Sequence, residues 1–370
     1  GHERRFAAPY VLMETDEDFH RLSLEIDLEH QPRALYSVLE VRPDARGSGD
    51  RDIQGYLQLQ QFPTLEALTA MGGLLTGEVK QRGWYKEGYM DASLWFSSEP
   101  EQPAYGLEGE FALTGVALPP EDVSLNRVTG QLMGHWRDGT DWSLSLKQLK
   151  VDWAEQDSPP LDLRLSANPD QSQTQVTVDR LDLGYWTQQL NRLKVLGEGR
   201  LRDALTSLSP QGHVNKLHLI LPRDNWEQWQ LAAELDAVSV SPWQGVPQLT
   251  QLNGYVEANR DTGRVFLDSS EGFGMLFPDH YAHSLEFLSA RGQIAWHLMP
   301  EKNRLYVNSG PLDLQSEQEQ TRAYLWLSMP WEPKTADVDL ILDIRGRDMA
   351  LGLYSKYLPQ AVPDDLRTWL

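Results

Sequence analysis

Alternation of apolar and polar residues along most of the chain is the feature that most constrains its fold. Leu161-Asp-Leu163-Arg-Leu165 alternates without interruption, and Val338-Asp-Leu340-Ile-Leu342-Asp-Ile344 nearly so. Successive side chains of a strand point to opposite faces, so this pattern places one set on an apolar face and the other in water. The sequence therefore predicts half-buried antiparallel strands, with a slip of phase near Gln148.

Turn residues separate the predicted strands. Asp138-Gly139, Asp261-Thr-Gly263 and Asn168-Pro169-Asp170 are typical of hairpin turns, and Pro300-Glu-Lys-Asn303 is typical of a longer hairpin loop. The strands between these turns follow one another closely along the chain, which favours sequential hairpins.

Helical patterns are few and short. They predict helices over residues 64–75, over residues 184–208 with a break near Gly197 and Gly199, and over residues 348–358. Strands far outnumber these helices, which predicts an all-β, mainly antiparallel fold with a few short helices.

A degenerate repeat joins a leucine-containing stretch to a Gly-x-apolar strand, a polar turn and a second strand. The glycines are Gly130, Gly254 and Gly292, and we expect each to lie at a strand start, where glycine permits a bulge or a close bend. Repeated hairpin units that bury one face favour a continuing sheet over a closed globule.

Composition excludes several classes of protein. Hydrophobic residues make up 40% and charged residues 24%, so the chain is neither disordered nor membrane-spanning throughout. A net charge of −21 argues against a nucleic-acid partner. The absence of cysteine removes disulfides, thiol catalysis and Cys-based zinc sites, and fits either a bacterial cytoplasm or a periplasm.

Catalytic motifs are missing from the sequence. It has no nucleophile elbow, Walker loop or dinucleotide fingerprint, which predicts a non-enzymatic protein without a cofactor. His280 and His283 have no companion ligand, so we expect no metal there. Asp364-Asp365 is interpreted as the start of a helix. The 13 tryptophans suit sheet packing, although sugar-binding platforms also use tryptophan.

Three segments resemble the AsmA-like family of Gram-negative envelopes, specifically its YhdP branch. Leu208-Ser-Pro210-Gln-Gly212-His-Val214 resembles the family's transition from a helix into a strand. The segment from Pro247 to Val256, continuing through Asp261-Thr-Gly263, is similar to its hairpin. Tyr357-Leu358-Pro359 and the later Trp369-Leu370 resemble its "YLP…WL" stretch. The resemblance covers residues 125–370, while residues 1–124 match in character only.

This resemblance implies a bridge-like lipid transfer protein that is anchored in the inner membrane and lies in the periplasm. The sheet would fold over as an extended, twisted groove that carries phospholipid toward the outer membrane, where other envelope proteins are possible partners. We expect one continuous elongated segment, 1–370, of a longer protein whose anchor lies outside this chain. The family offers no catalytic residues to carry over.

A sheet with one apolar face must cover it with another sheet, with helices or with a ligand. A strand of five residues spans roughly 17 Å, close to the ~15 Å depth of one leaflet's hydrocarbon. A closed β-sandwich scaffold of the cell envelope remains the alternative to a lipid groove, and a carbohydrate-active β-protein is a third class. The residues predicted to line the groove are Leu144, Leu146, Leu163, Leu165, Val176, Val178, Leu325, Leu327, Leu340 and Leu342.

Overall fold

The computed structural model describes residues 6–29, 31–43, 51–64, 88–99, 104–118, 123–137, 141–153, 156–168, 172–192, 200–243, 246–278, 280–317, 319–331, 338–347, 357–358, 360 and 362–363. Within these ranges the chain forms 22 strands, two α-helices and two single-turn 3-10 helices. Neighbouring strands pair in antiparallel fashion, mostly as successive hairpins. The predicted all-β fold with a few short helices is confirmed.

The chain divides into two compact units, which we call unit 1 (Gly1–Thr177) and unit 2 (Val178–Leu370). The division falls inside a single strand, β11 (Gln173–Asp182). Each unit is described by itself, and one continuous groove over residues 1–370 stays a prediction.

Unit 1 is a meander of long strands. Each strand from β1 to β8 pairs with the next, and β8 also pairs with β10 and with the two-residue β9. Most of these strands are longer than the five-residue strand that was compared above with the depth of one lipid leaflet. The strands are β1 (Phe6–Thr15), β2 (His20–Leu28), β3 (Gln31–Pro43), β4 (Arg51–Pro63), β5 (Tyr89–Glu99), β6 (Ala104–Leu118), β7 (Val123–Trp136), β8 (Trp142–Trp153), β9 (Gln156–Asp157) and β10 (Leu161–Asn168).

Unit 2 continues with strands that are interrupted along their length. β15 and β16 lie along β14 as two pieces of one line, and β19 and β20 are arranged in the same way along β21. These strands are β12 (Gln211–Pro222), β13 (Gln230–Val240), β14 (Gln248–Asn259), β15 (Thr262–Ser269), β16 (Phe273–Leu276), β17 (Leu285–Phe287), β18 (Ser289–Met299), β19 (Arg304–Ser309), β20 (Leu312–Gln315), β21 (Gln320–Pro330) and β22 (Asp339–Arg347).

The central predicted helix is present as two pieces, α1 (Leu183–Arg192) and α2 (Arg200–Leu208), and residues 193–199 between them are outside the described part. Asp182 caps α1, because its carboxylate accepts the N–H of Tyr185 at 2.8 Å. Two residues separate the end of α2 from the start of β12, which confirms the predicted helix-to-strand transition. Apart from Thr64, Tyr357 and Leu358, the other two predicted helices lie outside the described residues.

Two predicted turns are confirmed. Asp261-Thr-Gly263 joins β14 to β15, and the Asn259 side chain accepts the N–H groups of Asp261 and Thr262. The loop from Pro300 to Asn303 joins β18 to β19 as a 3-10 turn that ends with Asn303 in the left-handed region. The turn at Asp138-Gly139 and the Pro169-Asp170 portion of the other lie outside the described residues.

The repeat glycines lie inside strands, so the expectation that they start strands is wrong. Gly130 lies within β7, Gly254 within β14 and Gly292 within β18. A Cβ on Gly254 would lie 2.0 Å from the carbonyl oxygen of Phe266, and its φ of 153° disfavours any side chain. Glycine is required at position 254 because the backbone of β15 passes close to β14 near the end of β15.

A recurring bulge bends the strands, and a polar side chain of the adjacent strand secures it. Gln148 has a φ of 51°, and the register of β8 against both neighbours shifts beside it, which confirms the predicted slip of phase. The bulged N–H is accepted by a side-chain oxygen in five cases: Arg33 by Asp27 at 2.6 Å, Gln61 by Asp91 at 2.8 Å, Gln148 by Asp162 at 2.6 Å, Ala237 by Asn253 at 2.7 Å and Gln251 by Ser239 at 3.3 Å. We call these contacts the bulge clamps.

Removing one clamp is expected to destabilise unit 1 modestly. Asp162→Ala leaves the N–H of Gln148 without its 2.6 Å acceptor, and the lost hydrogen bond should lower the free energy of unfolding by about 1 kcal/mol. Asp162→Asn keeps an acceptor oxygen and should retain most of the stability. Urea denaturation followed by circular dichroism measures both variants; equal losses would show that the charge of Asp162, and not the accepted hydrogen bond, stabilises the bulge.

Candidate functional site: the apolar sheet faces

The apolar side chains of unit 1 lie in straight rows that cross the strands. Residues that are directly opposite in an antiparallel pair point to the same face, so the strand register defines each row. One row crosses nine strands and contains only apolar residues and glycine: Met13, Leu22, Leu39, Gly55, Phe96, Leu107, Gly134, Leu144 and Leu165.

A second row runs beside the first with Ser37 as its one polar member. It consists of Val11, Leu24, Ser37, Leu57, Leu94, Gly109, Leu132, Leu146 and Leu163. Eight steps between strands of about 4.8 Å make each row roughly 38 Å long. We call the surface formed by these two rows the apolar face of unit 1.

This face is only partly covered by protein. Leu144, Leu146, Leu163 and Leu165 are all half-buried, and toward β1 the exposure rises from 43% at Leu22 to 72% at Met13. The core of unit 1 near its centre is small, with Leu94 at 3% exposure as one of its best covered members. A face that is neither dry nor fully open retains apolar surface that an apolar ligand can still cover.

Unit 2 also has an apolar face, formed by one long row. Its members are Leu219, Leu231, Ala258, Gly263, Trp296, Val307, Leu327 and Leu340, taken in order across eight strands. The Trp296 ring lies over Gly263, where a Cβ would be 2.0 Å from the indole. The row from Leu219 to Val307 is half-buried, like that of unit 1, whereas Leu327 is buried.

Part of the unit 2 face is closed by the protein itself. The segment 273–287 supplies Phe273, Phe277, Tyr281 and Phe287, all buried in one hydrophobic cluster with Leu325 and its neighbours. This part therefore has the dry core that a closed scaffold would have.

A buried polar contact fixes one more segment to this closed core. The Tyr357 hydroxyl donates to Glu319 Oε1 at 2.5 Å, and the Tyr281 hydroxyl donates to the Tyr357 carbonyl at 3.4 Å. Burial, reinforced by the hydrogen bond to Glu319, raises the pKa of Tyr357 well above its usual value. The phenol therefore stays neutral and serves as a structural hydrogen-bond donor.

The structure groups the predicted lining residues into three sets. Leu144, Leu146, Leu163 and Leu165 lie together on the apolar face of unit 1, paired as Leu144 with Leu165 and Leu146 with Leu163. Leu325 and Leu327 are buried, and Leu340 and Leu342 pack beside Leu325 as half-buried members of the closed core of unit 2. On β11, Val176 is half-buried and Val178 is buried.

Sequence reasoning named no lining residue before Leu144, although fourteen of the eighteen members of the unit 1 rows lie there. The alternation that predicts a half-buried strand is present there, because Leu22-Ser-Leu24-Glu-Ile26-Asp-Leu28 alternates as cleanly as Leu161-Asp-Leu163-Arg-Leu165. The glycine members of the rows, such as Gly55 and Gly134, carry no hydropathy signal, so only the register reveals them.

The described part of the chain offers little for other kinds of site. It holds no group of three or more His, Cys, Asp or Glu side chains that are arranged to bind a metal ion. Among the helices in these ranges, none combines the length and the apolar content needed to cross a bilayer.

No curated protein and no solved structure matches this chain of successive hairpins with one apolar face. The family model described as YhdP protein matches residues 4–370, which is nearly the whole chain. This chain belongs to the YhdP protein family.

Proposed function

We propose that this chain binds phospholipid acyl chains along its apolar faces and conducts them between the inner and outer membranes. The observation that carries the proposal is the double row of unit 1, which is only partly covered by protein and crosses nine strands without a charged residue. Each acyl CH₂ that moves from water onto such a surface contributes about 0.8 kcal/mol, and no catalytic group is needed. The role proposed is therefore non-enzymatic and independent of cofactors.

Movement along the rows is supported by their uniformity. Neighbouring positions across the strands differ mainly in whether leucine, phenylalanine or glycine is present, so a chain shifted by one strand, about 4.8 Å, meets a similar surface. A path of roughly 38 Å exceeds the ~15 Å depth of one leaflet's hydrocarbon. Acyl chains can therefore lie wholly on the face and shift along it in small steps of similar free energy.

Membership in the YhdP family supports a lipid-transport role and the envelope setting that goes with it. In this proposal the chain works in the periplasm as part of a protein anchored in the inner membrane by a segment outside this sequence. Outer-membrane or other envelope proteins would then be its macromolecular partners, and nucleic acid would not be one.

A structural scaffold of the cell envelope is the second candidate function. The closed cluster of unit 2, in which Phe277 and Tyr281 cover Leu325, favours it, because a dry core binds no lipid. The two functions differ in what unit 1 does, since only the conduit requires the double row to hold a ligand.

Site-specific photocrosslinking separates the two. A benzophenone side chain at Leu144, on the apolar face, is expected to crosslink phospholipid in cells and to give a lipid adduct by mass spectrometry. The same group at the adjacent Ser145 points to the opposite face and should crosslink little lipid. Similar lipid adducts from both positions, or from neither, would contradict a lipid-filled face and leave the scaffold.

A further inference from the structure

We propose that the polar face of unit 1 carries a binding site for a neutral, β-linked oligosaccharide centred on Trp95. This face lies on the other side of the sheet from the double row of leucines, so the site is separate from the proposed lipid path.

An aromatic row crosses the strands at this point. Tyr56 and Trp95 are directly opposite on β4 and β5, with ring centroids 5.2 Å apart and planes inclined by 47°. Tyr36 extends the contact, with its ring 6.3 Å from that of Tyr56. Trp95 is 48% exposed although it lies in the middle of a strand, so about half of its surface is accessible to a ligand. Aromatic faces of this kind pack on the C–H surface of a pyranose ring.

A recess lies beside the Trp95 ring. It has a volume of about 490 Å³ and is bounded by side chains of β3 to β7. Gly106, opposite Ser97, lines it with backbone alone, whereas Glu108, directly opposite Trp95, lines it with a side chain.

Polar groups surround the aromatic surface as sugar hydroxyls require. Gln54, Ser97 and Glu108 line the recess with an amide, a hydroxyl and a carboxylate, and Arg42 adds a guanidinium beside the apolar Val38 and Met133. Glu40 is fixed at one end, because hydrogen bonds from Arg21 and Arg42 hold its carboxylate in place and lower its pKa. A ring of hydrogen-bonding groups around an exposed indole combines stacking with directional recognition of hydroxyls.

Charge and spacing narrow the ligand class. The chain carries a net charge of −21; in the lining, Arg42 is paired with Glu40 and Glu108 contributes a further carboxylate, so an anionic glycan is disfavoured. A β-1,4-linked chain forms a flat ribbon, and its sugar rings are about as long as the ~4.8 Å spacing between strands. Successive rings laid across the strands can therefore contact Tyr56 and Trp95 in turn, whereas the curvature of an α-1,4-linked chain turns successive rings out of this line.

Titration calorimetry with purified chain tests this site. Chitotetraose or cellotetraose is expected to bind, while maltotetraose, the α-linked control, should bind at least about tenfold more weakly. Trp95→Ala should weaken binding of the β-linked probe by about tenfold or more, as loss of a central aromatic anchor does. Trp95→Phe keeps a ring and should retain most of the affinity.

Trp326→Ala is the matched control. Trp326 is also exposed (37%) on the face of β21 that points away from the apolar row, but its cross-strand neighbours are Asn308 and Ile341 and not aromatic residues. This variant should bind like the unchanged protein. The absence of binding to both β-linked probes, or an equal loss in the Trp95→Ala and Trp326→Ala variants, would overturn the proposal. Lipid crosslinking at Leu144 is unaffected by either result.

Discussion

Replacing Leu165 with lysine is expected to reduce acyl-chain uptake by about a hundredfold. Leu165 lies at the end of the all-apolar row of unit 1, directly opposite Leu144, and is half-buried. A lysine at this place would have its ammonium group covered by bound acyl chains. Placing lysine in hydrocarbon costs about 3 kcal/mol, which corresponds to roughly a hundredfold in affinity. Delipidated protein titrated with a fluorescent fatty acid measures the loss.

Ser166→Lys is the matched control, because Ser166 is the next residue of the same strand and points to the polar face. It should leave uptake unchanged. Folding of Leu165→Lys is expected to persist, since the long side chain can direct its charge to water when no lipid is present; an unchanged circular dichroism spectrum checks this. Equal uptake by the two lysine variants would mean that acyl chains do not lie on this face.

Gly254→Ala is expected to cause a large loss of stability, about 3 kcal/mol. The added methyl would lie 2.0 Å from the Phe266 carbonyl oxygen, and the φ of 153° belongs to a region used almost only by glycine. Backbone cannot rotate away as a side chain can, so β14 and β15 must separate locally. The loss is measured as a shift of the urea midpoint of unit 2.

Gly310→Ala provides the comparison, because a Cβ at Gly310 meets no atom within 4 Å. Its effect should stay within about 0.5 kcal/mol. If both alanine variants lose similar stability, the close approach of β14 and β15 does not explain the need for glycine at position 254.

Local patterns predicted the strands well, because one-sided burial imposes a period of two that a single sequence displays. Leu144, Leu146, Leu163 and Leu165 were placed together on one face from alternation alone, and the structure pairs them. The slip near Gln148 was visible because the apolar positions change phase there. Alternation of hydropathy is visible in neighbouring residues, so the strands and the slip of phase can be predicted without knowledge of distant contacts.

Features that depend on which strands meet were not predictable. Leu325, for example, is buried in a closed core together with Phe277 and Tyr281, which come from a segment about 45 residues earlier. Likewise, glycine at 254 is explained by the path of the Phe266 backbone and not by its own neighbours in sequence. Strand length was also underestimated, since hydropathy cannot show that a bulged strand continues on the other side of its bulge.

The bulge clamps and the leucine rows are expected to differ in how many residue types each position tolerates. Leucine, isoleucine, valine and methionine can replace one another on a lipid-facing surface at a cost usually below about 1.5 kcal/mol, so the rows are free to drift. A clamp such as that of Asp162 on the N–H of Gln148 depends on one oxygen at one position, which few residue types can supply. We therefore expect related chains to vary less at the clamps, on the polar side of the sheet, than along the rows that we propose to carry lipid.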